Sequence, residues 1–196
     1  DVIKVIGNNF SKIQGRFDTK LSLSSSDIDE VIKKRILAKK EEYTESLELI
    51  YDKDESIIKN LLLFKNAAYQ KLYMDRIDFA ETYPFIPYQF RLLQNVFTDI
   101  RKHGYAGKHL SSGERSLIGA FQGTAKRYSN SEIGTLIPFY AFYDTIEEFL
   151  EHQVKNVIST AEDAVKANEL QEIDVKVLKM LFMLKNIKEI PANVEN

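Results

Sequence analysis

Two arginine residues are the side chains in this sequence best suited to chemistry on phosphate groups. Arg16 lies in the segment Gly-Arg-Phe-Asp at 15–18, and Arg115 lies in Leu-Ser-Ser-Gly-Glu-Arg-Ser-Leu at 110–117. A guanidinium group stays charged at physiological pH and donates hydrogen bonds in a fork that matches phosphate oxygens. The alternative for each residue is a solvated or ion-paired surface arginine, and the sequence keeps both interpretations open.

The loop that precedes Arg115 has a second property that favours an anion. Ser112 and Gly113 are small residues at the entry to a predicted helix, and Ser111 followed by Glu114 forms a capping-box pattern. The first amide groups of a helix have no partner within the helix, and the helix dipole is positive at that end. We therefore expect Ser112, Gly113 and Arg115 to form an anion site, with a simple helix cap as the alternative. The same loop resembles the part of an AAA+ ATPase lid that senses bound nucleotide, and this resemblance implies that the three residues form a nucleotide-sensing site.

Other polar clusters are weaker candidates. His103 and His109 have no third ligand nearby, which favours loop histidines over a metal site. The aromatic segment at 82–90 could bind a peptide, but rings between two helices more commonly form core. Acidic residues are interleaved with the basic clusters, which favours solvated helix faces for Lys33, Lys34, Arg35, Lys39, Lys40, Lys126 and Arg127. No Ser-His-Asp triad or paired carboxylates can be assigned from the spacing.

Composition narrows the class of protein. The chain has 196 residues, is 44% hydrophobic and 29% charged, and carries a net charge of −2. These values are ordinary for a soluble globular protein and give no general basic field for nucleic acid. The absence of cysteine and of any apolar run long enough to span a bilayer predicts a cytoplasmic protein with no membrane contact. The start at Asp1 and the residues after Pro191 lead us to expect a segment of a longer protein.

The apolar residues recur mainly at helical spacing, and only four Pro and eight Gly interrupt the chain. The pattern predicts a mainly all-α multi-helix bundle with helices over about 27–48, 57–72, 88–103, 114–128, 142–165 and 173–188. The charged residues 51–55 are expected to separate the first two helices, and alternation predicts one strand at 20–24. We expect the bundle to bury Leu61, Leu93, Phe97, Ile118, Phe121 and Phe149.

The order of elements around Arg16 resembles the end of an AAA+ ATPase core. In that family an arginine before the last core strand projects toward the γ-phosphate of a neighbouring subunit, and a helical lid follows the strand. The resemblance implies that Arg16 is a candidate arginine finger with a catalytic role, and that Arg115 is the nucleotide sensor of the lid. Residues 110–117 also resemble the signature loop of ABC ATPases, but no hydrophobic strand ending in Asp-Glu follows, so the AAA+ resemblance is preferred.

Longer motifs resemble the BrxC/PglY family, the large P-loop ATPases of BREX phage-defence systems. The resemblance covers residue 10 to about residue 184 and is most specific in Tyr-Pro-Phe-Ile-Pro-Tyr-Gln-Phe at 83–90 and Ser-Gly-Glu-Arg-Ser at 112–116. The matching motifs lie at 10–17, 21–25, 31–39, 83–94 and 109–121. The resemblance implies a segment that follows the ATPase core, with ATP and Mg²⁺ bound by the parent protein, other BREX proteins as partners, a homo-oligomeric parent, and DNA engaged through the complex.

These resemblances imply a division into three parts. Residues 1–25 would be the C-terminal remnant of the AAA+-like core, 26–168 the helical lid bundle, and 169–196 the start of a winged-helix-like module. Because no Gly-x-x-x-x-Gly-Lys-Ser/Thr loop occurs, we expect this segment to have no ATPase activity alone and no cofactor of its own. The expected function is an ATP-sensing lid of a BREX ATPase. The alternative is a helical protein-protein interaction module that does not contact nucleotide.

Overall fold

The computed structural model describes residues 25–68, 70–103, 113–191 and 193. Within these residues the chain is predominantly helical and forms no strand, which confirms the all-α prediction in its coarse form. The predicted strand at 20–24 lies outside the described residues. The α-helices are α1 (Ser25–Val31), α2 (Glu41–Leu61), α3 (Arg76–Thr82), α4 (Pro87–Lys102), α5 (Gly113–Arg127), α6 (Tyr143–Ile146), α7 (His152–Lys166) and α8 (Glu172–Leu184).

The predicted helix over 27–48 is wrong, because the chain bends between α1 and α2. A π-helical turn, Ile32–Ile36, continues α1, and the extended backbone of Lys40 precedes α2. Leu37 is buried in the main hydrophobic core, whereas Leu47 is buried in a second cluster. The helical period continues across the bend, but the residues on its two sides pack against different clusters.

The predicted break at 51–55 and the predicted helix at 57–72 are also wrong. Helix α2 continues through the charged residues to Leu61, with Tyr51 fully buried on its inner face. The acidic residues lie on the outer face, where Arg76 pairs with Glu48 and Asp52. Leu61 was expected in the core, but its exposed fraction is 77% because the chain leaves the helix at this point.

The short helix α3 and the turn after it place the aromatic segment in the core. Asp75 caps α3 by accepting a hydrogen bond from the amide of Asp78 at 2.8 Å. The Tyr83–Pro84 peptide bond is cis, and α4 begins at Pro87, where the missing amide hydrogen costs no helical hydrogen bond. The expectation that this segment forms core is confirmed, since the side chains buried there include Phe85, Ile86, Gln89 and Phe90.

Helices α4 and α5 match their predicted spans closely and form the centre of the main core. Leu93, Phe97 and Phe121 are buried as expected, and Ile118 and Phe149 are partly buried against the same cluster. The rings of Phe90 and Phe121 stack with their centroids 4.6 Å apart, which joins α4 to α5. Helix α5 includes Gly113 and Arg115 of the candidate site.

The predicted long helix over 142–165 is wrong. The structure instead has a 3₁₀ turn at Phe139–Phe142, α6, a second 3₁₀ turn at Glu147–Phe149, and then α7. Leu150 has an extended backbone and a buried side chain, so the chain turns at this residue. The bend lets both Ile146 and Ile158 face the main core, which a straight helix along this path would not achieve.

The last helix, α8, confirms that the segment near 173–188 is helical, although the helix ends earlier, at Leu184. Val175, Met183 and Leu184 belong to the main hydrophobic cluster together with residues of α4 and α5. None of the described helices is both long and apolar enough to cross a membrane. The boundaries predicted at 25/26 and 168/169, and the winged-helix start, stay predictions.

Candidate functional site

The site predicted from the sequence is described only at the beginning of α5. Arg16 and Ser112 lie outside the described residues. Gly113 is the first residue of α5 and Arg115 is the third, and the backbone alone is described at both positions. The helix predicted at 114–128 is therefore confirmed. Its predicted cap at Ser111 lies outside the described residues, and the sensing role of Arg115 stays a prediction.

Helix α5 is firmly anchored just beyond this first turn. Leu117, Ala120 and Phe121 are fully buried, and the hydroxyl oxygens of Thr124 and Thr145 lie 3.0 Å apart. Since α5 has 15 residues, its N-terminal amide groups carry a full helix dipole. An anchored helix start with an arginine in its first turn can hold an anion in a fixed position.

The structure brings together a lysine-lined cleft that the sequence analysis did not predict. It lies between α1, the start of α2 and α3, and has a volume of about 580 Å³. For Lys33, Lys34 and Lys39 we expected solvated helix faces, because charges on a helix normally point outward. The cleft is lined by Lys33, Lys34, Lys39 and Lys71 together with the acidic residues Asp29, Glu30 and Glu81.

The expectation of solvated faces is wrong for Lys33 and Lys39, although Lys34, Arg35 and Lys40 are exposed as expected. The amine of Lys33 lies 3.0 Å from a carboxylate oxygen of Asp78, whose side chain is 5% exposed. The amine of Lys39 donates to the backbone oxygen of Glu81 at 3.1 Å. The local spacing of apolar residues around Lys33 and Lys39 does not predict these contacts, because both partners lie on α3, more than 40 positions away.

Burial dominates the electrostatics of the cleft. It lowers the pKa of Lys39 to about 8, while the charge of Glu81 opposes the shift and the charge of Lys33 adds to it. Burial also raises the pKa of Asp29, against the opposing charges of Lys71 and Lys33. One carboxylate oxygen of Asp29 is buried and has no hydrogen-bond partner among the described residues. The cleft is therefore an ion-pair network with two desolvated groups at its edge.

A second ion-pair cluster joins α5, α6, α7 and α8. The amine of Lys179 lies 2.7 Å from Asp144 and 2.9 Å from Glu162, and Arg127 binds the second oxygen of Asp144 at 3.1 Å. Burial alone would lower the pKa of Lys179, but the two hydrogen bonds outweigh it and the pKa is raised. Arg127 is thus partly ion-paired, whereas Lys126 is exposed as expected. This cluster links four helices.

Neither cluster has the composition of a metal centre. Over the described ranges 25–68, 70–103, 113–191 and 193, no group of three His, Cys, Asp or Glu side chains could hold a metal ion. His103 lies at the end of α4 and pairs with Asp99 at 2.9 Å, while His109 lies outside the described residues. The ion pairs of Lys33 with Asp78 and of Lys179 with Asp144 and Glu162 join different helices and so help to position them.

The comparisons with known proteins do not assign a family. No protein family matches this chain, and no solved structure matches it significantly.

Proposed function

We propose that this chain is the helical lid of a large BREX phage-resistance ATPase of the BrxC/PglY kind. In this role Arg115 senses bound ATP, and the lid couples nucleotide state to partner or DNA engagement. The parent protein supplies the P-loop and binds ATP and Mg²⁺, and its subunits form a homo-oligomer in which Arg16 acts as the arginine finger. Other BREX proteins are the partners.

The observation that carries this proposal is the start of α5. The Gly-Glu-Arg motif lies at the start of a helix whose next turns are buried, so Arg115 is attached to a packed part of the fold. A sensor needs this property, because a displacement at the nucleotide must be transmitted to packed elements rather than absorbed by a loop. The first amide groups of a helix have no partner within the helix, so a helix start can add donors for phosphate oxygens.

The test is Arg115→Ala in the full-length parent protein, with Arg101→Ala as the matched control. Arg101 is an exposed arginine in the last turn of α4. We expect Arg115→Ala to slow steady-state ATP turnover by orders of magnitude, about 10³ where arginines on developing phosphate charge are removed. The free energy of unfolding should change by no more than about 0.5 kcal/mol. Phage restriction should fall with turnover.

Two results would count against the sensor. Turnover equal to that of Arg101→Ala would remove Arg115 from the nucleotide site. A large fall in melting temperature together with the loss of turnover would make Arg115 a structural residue instead.

A second candidate function is a helical interaction module without nucleotide contact. It is favoured by exposed apolar side chains on two helices, including Ile57 and Leu61 on α2 and Ile173 and Val177 on α8. Large apolar side chains grouped on a surface are typical of protein-protein interfaces. This module would leave ATP turnover unchanged in Arg115→Ala while surface substitutions abolished partner binding.

A further inference from the structure

The side chain of Lys39 lies at the wall of the lysine-lined cleft between α1, α2 and α3. Its amine donates a hydrogen bond to the backbone oxygen of Glu81 at 3.1 Å, and within the described residues it forms no ion pair. Lys33 and Lys34 differ, because the amine of each lies within 3.2 Å of a carboxylate oxygen. The amine of Lys39 is therefore held in place by a neutral carbonyl group.

An uncharged amine can keep this contact and still react. It has two hydrogens, of which one is donated to the carbonyl, and its lone pair stays free. Burial lowers the pKa of Lys39 to about 8, opposed by the charge of Glu81 and assisted by that of Lys33. At pH 8 about half of the amines are then neutral, against about 0.3% at the ordinary value of 10.5. Desolvation and a nearby cation are the two usual ways of activating a lysine nucleophile.

The other charged side chains of the cleft are evenly divided between the two signs. They are Lys33, Lys34 and Lys71 on one side of the balance and Asp29, Glu30 and Glu81 on the other. The wall also has an apolar part, formed by Leu37, Ala38, Ala80 and Phe90. A cleft of about 580 Å³ with this lining has room for a short acyl chain attached to Lys39.

The same surroundings favour the product of acylation. An acylated lysine is an amide without a charge, so the cost of burying the ammonium group disappears when the amine is acylated. The remaining N–H can still donate to the backbone oxygen of Glu81. Burial therefore raises the reactivity of Lys39 and also favours its modified form.

We propose that Lys39 is a nucleophilic lysine that accepts the acyl group of a small acyl phosphate. The lone pair of Nζ attacks the carbonyl carbon and forms a C–N bond, and the bond from that carbon to the phosphate oxygen breaks. Phosphate leaves with the electron pair of this bond, and the proton lost by the nitrogen ends on hydrogen phosphate. Because phosphate is a good leaving group, the protein has to supply only an uncharged amine that the donor can reach. The inference does not depend on nucleotide sensing by Arg115.

The test is acetylation of the folded 196-residue chain by acetyl phosphate at low occupancy. Cleavage after glutamate releases residues 31–41 as one peptide, whose four lysines are Lys33, Lys34, Lys39 and Lys40. Fragment-ion mass spectrometry then compares the lysines within a single peptide, so differences in recovery cancel. Lys40 is the matched control because it is the exposed neighbour in the sequence. The same reaction in guanidinium chloride provides the unfolded reference.

We expect Lys39 to react about tenfold faster than Lys40 in the folded chain at about pH 8, and at an equal rate in the unfolded chain. The neutral fraction of Lys39 rises by about 160-fold on folding. A less basic amine is a weaker nucleophile, and a Brønsted slope of about 0.45, as for thiolates, reduces this gain to about tenfold. The rate at Lys39 should level off above about pH 8, where most of the amine is already neutral.

Glu81→Gln tests the electrostatic part of the argument. The Glu81 carboxylate is 59% exposed and its backbone oxygen is unaffected, so the variant should fold. Removing a negative charge that opposes the lowered pKa should raise the rate at Lys39 by about two- to fivefold at pH 7. Glu45→Gln, at an exposed carboxylate of α2 that does not line the cleft, should leave the rate unchanged.

Three results would overturn the proposal. Equal or slower acetylation of Lys39 than of Lys40 in the folded chain would show that the cleft does not activate the amine. A preference for Lys39 that persists in guanidinium chloride would assign it to the local sequence. A rate that is the same in Glu81→Gln and Glu45→Gln would remove the electrostatic control. ATP turnover of the parent is a separate readout, so failure here leaves the sensor proposal intact.

Discussion

Lys33 and Asp78 are 45 positions apart in the sequence, and the amine of Lys33 lies 3.0 Å from one carboxylate oxygen of Asp78. The second oxygen of Asp78 accepts a hydrogen bond from the amide of Met74 at 3.2 Å. The pair joins the π-helical end of α1 to the short helix α3, and it lies at the wall of the lysine-lined cleft. Asp78 is almost fully buried, so loss of this partner would leave its carboxylate poorly solvated and without a cation.

Replacing Lys33 should therefore destabilise the fold. Lys33→Met leaves the Asp78 carboxylate without its cation, and we expect a loss of about 2–3 kcal/mol, below the range for fully buried pairs because Lys33 keeps some exposure. Lys34→Met is the control, since Lys34 is 72% exposed and its pair with Glu30 should contribute less than about 0.5 kcal/mol. Urea unfolding of both variants checks this, and equal midpoints would contradict it.

Gln89 is a second buried polar link. Its side-chain oxygen accepts from the amide of Ile86 at 3.1 Å, and its nitrogen donates to the oxygen of Ile137 at 2.8 Å. Gln89→Leu would leave two buried backbone groups without these partners, and we expect a loss of about 2–4 kcal/mol. Gln122→Leu, at an exposed position of α5, should stay within about 0.5 kcal/mol of the wild-type chain. Thermal melts in parallel would show whether the burial of Gln89 makes the difference.

Two glycines in α5 provide a matched pair. A Cβ at Gly119 would meet nothing within 4 Å, so Gly119→Ala should stabilise the helix by about 0.5–1 kcal/mol. A Cβ at Gly123 would lie 2.9 Å from the methyl carbon of Thr145. We expect Gly123→Ala to be about 1–3 kcal/mol less stable than Gly119→Ala, because the hydrogen bond between Thr145 and Thr124 hinders rotation of the threonine.

The glycine prediction has an internal check. Thr145→Ser removes the methyl group and keeps the hydroxyl that contacts Thr124. Adding it to Gly123→Ala should recover much of the lost stability, measured by urea unfolding. If the double variant is as unstable as Gly123→Ala alone, the close approach of α5 to α6 is not the cause.

Lys39 should give stability a specific dependence on pH. Its pKa falls from about 10.5 in the unfolded chain to about 8 in the fold, so folding penalises the charged form. The unfolded chain binds more protons between these values, and stability from this group must rise as pH increases from about 8 to about 10.5. Below about pH 8 the group is charged in both states and the penalty is complete.

Lys39→Met removes this penalty. Relative to the wild-type chain the variant should be more stable at pH 7, and its advantage should shrink toward pH 10, when folding no longer has to bury a charge. Lys40→Met, at the exposed neighbouring position, should show no such convergence. Urea unfolding at the two pH values provides the comparison, and a difference that is constant with pH would show that Lys39 is not the group responsible.

The elements that the amino-acid sequence predicts correctly are those with a single buried face and clear ends. Helices α4, α5 and α8 keep an uninterrupted helical period, and α4 also begins at a proline that suits a first turn. The aromatic segment at 82–90 was predictable as core, because rings between two amphipathic helices have few other places to go. The roles of Arg16, Ser112, Gly113 and Arg115 come from motif and resemblance alone.

Where the helices bend and which charges are buried depend on tertiary packing. Periodicity shows that a segment has an apolar side, but it does not show which of two clusters that side will join. The bends near Leu37 and Leu150 therefore depend on how the chain packs. Helix α2 continues through a charged stretch because the side chain of Tyr51 is buried on its inner face. Lys33 and Lys39 looked solvated because their partners lie on α3, and contacts across more than 40 positions leave no trace in local spacing.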